Sequence, residues 1–194
     1  MQSVLTKTEG LAAFKEWAVS CEALGTGRQV MLFRKGGISE KGHEFKVEHP
    51  NFFLFPTYEH QDNASIKPEF QALLAESLAA KPDLGEVVLK YWANVEEAVP
   101  MTSMEPIQRQ AANHVWSESC IEYRWTYQAS KPLWLLLLRV YKLETPLTLE
   151  VMEEYTGCKS WVDLQAPQIK ALPCSPVLDD ATYQAMAAKV RALL

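Results

Sequence analysis

The sequence predicts an α+β domain whose sheet is mixed or mostly antiparallel, possible as a partial barrel, with flanking helices. Three observations carry this. A long half-alternating stretch, VVLKYWANVEEAV at 87–99, reads as a strand; LWLLLLRVYKL at 133–143 is the most apolar run in the chain; and segments near both ends repeat apolar residues at helical spacing. At 194 residues, 48% hydrophobic and 22% charged, the chain is long enough for one full core, and a single domain over 1–194 is expected.

In order along the chain, Leu11, Phe14, Ala18, Cys21 and Leu24 return at helical spacing and predict a helix over 9–24, ended by Gly25 and Gly27. Residues 30–33 and 52–55 read as short apolar strands, with Gly36-Gly37 as a tight turn after the first and Pro56 stopping the second. Pro68 opens a helix over 68–80, and KPDLG at 81–85 is turn chemistry. The strand at 87–99 is closed by Pro100, and a helix is expected around 105–113. Residues 121–127 alternate in strand fashion, and the leucine run after Pro132 belongs in a central strand, because four successive leucines leave no polar face. The stretches 91–100 and 141–147 share a loose shape and read as two similar edges of one sheet. Pro167, Pro173 and Pro176 predict a surface tether within 165–194. A C-terminal helix from 179 follows it, with Asp179 or Asp180 at its start and Lys189 and Arg191 near its end.

Composition excludes several classes. A net charge of -5 and a pI near 5.4 argue against coating nucleic acid through bulk charge, although a local basic patch stays open. Cys21, Cys120, Cys158 and Cys174 form no C-x-x-C pair, so ribbon-type metal sites and redox motifs lack their spacing; reduced thiols in a cytoplasmic protein fit best. Charges interrupt the N-terminus and the leucine run is too short to span a bilayer, so no membrane partner is expected.

The densest polar chemistry lies in 29–61, where charged residues sit at strand ends, the usual place for sites. Arg34, Lys35, Gly36 and Gly37 can cradle an anion or phosphate, with Arg124, Lys131 and Arg139 as further cations, against the plainer reading of a hairpin with a solvated tip. Glu48, His49, Thr57, Glu59, His60 and Gln61, with His114, make a polar cleft set. Of these, His49 and His60 beside a glutamate are the residues that would hold a divalent metal, although the spacing is no known ligand pattern and hydrogen-bonded histidines are the commoner outcome. Glu44-Phe45-Lys46 matches only half of a metal-dependent nuclease motif. Among the aromatic residues, most belong to the core, and Trp116 and Trp161 are the expected exposed pair for base stacking because both are read as loop residues.

The blocks EWAVSCEALGTGRQVMLFRKGGI, FKVEHPNFFLFPTYEHQ, HVWS, KPLWLLLLRVYKL and YTGCKSWVDL, all in order, make the chain resemble the uncharacterised bacterial family called domain of unknown function 1802, common in cyanobacteria. The resemblance runs over about 14–164, within a family-like core of 9–164. It implies an association with restriction-endonuclease-like domains, hence a role beside DNA restriction or repair. A fainter likeness, to small barrels of the PUA and ASCH type that bind modified nucleotides or RNA, rests on a helix leading into a strand and transfers no residues. Three functions follow as expectations: an accessory nucleic-acid-binding module, a metal-dependent nuclease or nucleotide-processing hydrolase, or a scaffold for a partner protein. A contiguous basic groove is the feature that separates the first from the third.

Overall fold

A computed structural model of the protein describes residues 3–6, 11–35, 47–165 and 171–194. Gly36, Gly37 and the Glu44-Phe45-Lys46 motif lie outside the described residues. The architecture is α+β. Its strands are β1 (Ser3–Thr6), β2 (Leu11–Trp17), β3 (Met31–Lys35), β4 (Asn51–Thr57), β5 (Glu86–Met101), β6 (Leu133–Glu150), β7 (Trp161–Leu164) and β8 (Ala171–Pro176). The helices are α1 (Ala18–Gly25), α2 (Gln71–Ala79), α3 (Met104–Arg109), α4 (Glu118–Thr126) and α5 (Asp180–Ala192). One unclosed mixed sheet runs in the order β1-β8-β6-β5-β4-β2-β7, and β3 pairs with a free length of β6. The pairs are antiparallel except β2 with β4.

The long β5–β6 ribbon is the backbone of the molecule. β6 has enough length to pair β5 on one side and, on the other, β3 through Leu133–Leu137 and β8 through Tyr141–Leu143. Register shifts near Leu89/Tyr91 and Val95/Glu97 bend it, as bulges do. Leu135, Leu136, Leu137 and Leu138 are fully buried, as an all-apolar run requires. The segments 91–100 and 141–147 are therefore not edges: β5 and β6 pair each other inside the sheet, where Tyr91 and Trp92 lie opposite Lys142 and Tyr141.

The helix predicted over 9–24 is half strand. In β2, Ala12 and Phe14 join one buried cluster and Leu11 and Ala13 a second, on opposite faces. Both faces are covered, so the period-2 signal that marks a half-exposed strand is erased, and apolar residues at 11, 14 and 18 mimic a helix. The helix begins only at Ala18. Gly25 ends it where the ring of Tyr91 packs so close that a Cβ would lie 2.1 Å from it, and Gly27 turns the chain at φ 71°.

Residues 121–127, expected to alternate as a strand, form α4 through Thr126 and its C-cap, Tyr127. Ser117 caps this helix by accepting from the Cys120 N–H at 3.2 Å, a local signal that outweighs the alternation. Part of the proline-rich tether is also corrected: Pro173 and Pro176 belong to β8, which pairs β1 and β6, while Pro167 lies outside the described residues. Neither Pro56 nor Pro100 stops its strand. β5 pairs β4 only at Asn51–Phe53, so Pro56 has a strand neighbour on one side alone, where a missing N–H is tolerated. The expected C-terminal helix is α5, whose Asp179 cap accepts from the Thr182 N–H at 2.8 Å. Among the described residues no helix is long and apolar enough to cross a membrane.

Candidate functional site

Three strands deliver polar residues to one place. β2 ends in Lys15-Glu16-Trp17, the parallel β4 ends beside it in Phe55-Pro56-Thr57, and β3 ends in Arg34-Lys35. With α4 and the loops around 58–65, 81–87 and 151–160, these ends line a cleft of about 1150 Å³. Helical spacing puts Cys120, Tyr123, Arg124 and Tyr127 on the one side of α4 that faces it.

The floor is built around a buried carboxylate. The Glu16 side chain is 1% exposed, with Arg34 Nη1 3.5 Å from Oε2 and Arg124 Nη2 3.7 Å from Oε1. Oε1 accepts from the Trp17 N–H at 2.9 Å, whereas Oε2 has no hydrogen-bond partner. Each arginine is held by aromatic surfaces. Arg34 lies 4.7 Å over Phe14 and donates to Ser160 Oγ at 2.9 Å. Arg124 lies between Trp17 and Trp116, at 4.8 and 4.6 Å, and donates to the Phe33 carbonyl at 3.1 Å. Planar guanidinium groups stack this way where an ammonium would not.

Around this floor the rim carries lysines. Lys35 donates to the Trp125 carbonyl, and Lys15 to the Gly157 carbonyl at 3.1 Å. Burial lowers the pKa of both ammonium groups, and for Lys15 the neighbouring Lys159 lowers it further. Lys81 and Lys159 complete a set of six cleft-lining cations against the acids Glu16, Glu59, Asp83 and Glu86. Tyr123 on α4 and Tyr127 at its C-cap are exposed at 65% and 38%, their rings 5.7 Å apart and 30° from coplanar.

Of the residues singled out in the sequence, Arg34, Lys35, Thr57, Glu59, His60 and Arg124 line this cleft. His60 sits on the rim in a left-handed turn at φ 63°, a conformation histidine adopts more readily than most residues. Gln61 is buried beneath, where it accepts from the Val19 N–H at 3.3 Å and so serves the start of α1. The remainder lie elsewhere. Glu48 is exposed, and His49 packs edge-on against Trp161 at 5.3 Å. His114 is buried against Phe33 and Trp116, and burial, with Lys67 and Arg124 nearby, pushes its pKa down to about 3. Arg139 is buried over Tyr183, paired with Asp180 at 2.7 Å, and lines a separate small cavity. Among the described residues no three His, Cys, Asp or Glu side chains come together to hold a metal, because His49, His60 and His114 diverge.

The stacking pair is corrected. Trp116 is fully buried, since Ile66 bridges to it and Arg124 covers its ring, and Trp161 is half-buried in β7 against Phe14 and Phe52. Among the described residues the exposed large aromatic side chains are Tyr123 and Tyr127, whose i,i+4 spacing brings them together only across a helical turn. Glu16 was missed for the same kind of reason, since a helix over 9–24 turns it toward solvent whereas β2 turns it inward. The local sequence offers only the charged pair Lys15-Glu16 before Trp17, which a solvated helix face would also carry.

No curated protein matches the chain. Among solved structures it is similar to a point mutant of the ZmASCH protein from Zymomonas mobilis, at 12% identity and a TM-score of 0.40 over 93% of this chain and 98% of that one. An overlap that loose carries no argument about the cleft. The family model described as Domain of unknown function (DUF1802) matches residues 13–189, nearly the whole chain and every cleft strand, so the protein belongs to that family.

Proposed function

We propose that the cleft binds single-stranded nucleic acid, and that the protein is a nucleic-acid-binding module. The observation that supports this best is the concentration of six lysines and arginines around one groove, beside an exposed tyrosine pair, in a chain whose net charge is -5. Charge of that sign in one groove attracts a phosphate backbone despite the acidic whole, and exposed aromatic faces stack unpaired bases. Lys15, Lys35, Lys81 and Lys159 on the rim suit phosphates. Arg34 and Arg124 are partly neutralised by Glu16 and suit phosphate less. A role beside DNA restriction or repair rests on the family resemblance and adds no residue to this reading.

Fluorescence anisotropy with labelled single-stranded oligonucleotides, titrated over a range of salt, tests it. The wild type should bind with affinity that falls as salt rises; Lys35→Ala with Lys159→Ala should weaken binding and flatten that dependence. Tyr123→Ala should weaken binding by roughly 1–3 kcal/mol. No binding at low salt, or binding that none of these changes alters, overturns the proposal.

A further inference from the structure

From the floor of the cleft, and resting on the reading of the groove as a nucleic-acid site, we infer that it selects an unpaired base with an imide edge, uracil or thymine. Glu16 lies between Arg34 and Arg124, so a donor, a buried acceptor and a donor follow one another in the floor. Neither ion pair is a direct hydrogen bond at 3.5 and 3.7 Å, and Glu16 Oε2 is a buried acceptor with no hydrogen-bond partner. A buried carboxylate oxygen left this way is costly, and a ligand N–H would relieve it.

The charge pattern rules on ligand class. A phosphate seated between the two guanidinium groups would meet the Glu16 charge, whereas a neutral group with a central N–H would not. The complement of donor-acceptor-donor is acceptor-donor-acceptor. Uracil and thymine present it as O4, N3–H and O2. Cytosine and adenine have no N–H flanked by two carbonyls, and guanine puts an amino donor where the second carbonyl should be. The arginines are placed for this work by Phe14, Trp17 and Trp116, which hold the two guanidinium planes. Parting them to admit a base breaks no direct hydrogen bond to Glu16.

The test compares equal-length oligo(U), oligo(dT), oligo(C), oligo(dC) and an oligo(U) in which the bases are 3-methyluracil, by anisotropy on the full chain. Oligo(U) and oligo(dT) should bind at least about tenfold tighter than the cytosine strands and the methylated strand, because a site built to pair an N–H rejects the analogue lacking it. The ratio of oligo(U) to oligo(dT) identifies the source, RNA or DNA. Methylation of N3 alters the ligand alone, so a folding defect cannot mimic the result. Glu16→Gln, which keeps the shape and removes the charge, should reduce the uracil preference. Equal binding of uracil, methyluracil and cytosine strands overturns the inference and leaves the groove proposal standing; failure of every strand to bind overturns both. Competition by inorganic phosphate that grows stronger in Glu16→Gln while base preference is absent would make the floor an anion subsite and overturn the inference as well.

Discussion

The molecule holds arginine over aromatic rings and against a carboxylate in two regions, and the two are built differently. Arg139 follows the leucine run of β6, stacks 4.5 Å from Tyr183 and meets a single carboxylate, Asp180, at 2.7 Å. At the floor of the cleft two arginines share one carboxylate, at 3.5 and 3.7 Å, with rings beneath them and a large groove above. The first arrangement ends in a direct charge-assisted hydrogen bond to an exposed acid at the start of α5, where the helix dipole favours a negative group. Arg139 thus ties the C-terminal helix to the sheet. The second leaves a buried acceptor without a hydrogen-bond partner in the floor of a groove. An arginine held against a carboxylate does not by itself mark a site; the difference lies in whether the carboxylate is satisfied and whether a groove lies over the pair.

The largest expected contrast between the regions comes with acid. His114 packs against Phe33 and Trp116 beside the cleft, and burial holds its pKa near 3 against an ordinary 6.5. The unfolded chain therefore takes up this proton first as pH falls, and stability present above about 6.5 is lost progressively down to about 3. The loss is on the order of 4 kcal/mol across that window. Urea unfolding at a series of pH values should show this slope in the wild type and a flatter one in His114→Gln. An unchanged slope would remove the acid-sensitive element from the core behind Trp116 and weaken the contrast.

Next in size is Glu16→Ala. It leaves two arginines facing each other over an aromatic floor, and should cost roughly 3 kcal/mol, the low end for breaking a buried ion pair because both cations keep some solvent contact. Equilibrium urea denaturation measures it. A cost near zero would mean that Glu16 does not hold the arginines, and the two regions would then be alike in having dispensable partners.

Asp180→Asn is the smallest. The Asp180 side chain is almost wholly exposed, so its removal should change stability by at most about 1 kcal/mol, with no effect on oligonucleotide binding. Thermal melting and anisotropy on the same variant check both halves. A binding defect would connect Arg139 to the groove and erase the distinction.

Much of this was legible in the sequence, for identifiable reasons. The α+β class, the central leucine strand, the helix opened by Pro68 and the capped C-terminal helix each rest on a local cause: an unbroken apolar run, a proline at a first turn, an aspartate at a cap. Charge at the ends of the strands around 34 and 57 was also visible, and Arg34, Lys35, Thr57, Glu59 and His60 come together along the cleft. Arg124 was picked as a further cation, and its place in the cleft depends on α4, which the alternation of 121–127 concealed.

What only the tertiary structure decided is which side of each element faces inward. β2 is covered on both faces by clusters assembled from distant segments, so nothing within residues 11–17 distinguishes it from a helix. That single assignment determines whether Glu16 points to water or sits buried between two arginines. Trp116 and Tyr123 exchanged their expected places likewise, because burial of an aromatic ring depends on what packs over it, here Arg124 and the bridge to Ile66. Periodicity, caps and turns act over a few residues and are written locally. The cleft is made where β2, β3, β4 and α4 end together, and that meeting is set by long-range strand pairing, which no local stretch of the chain encodes.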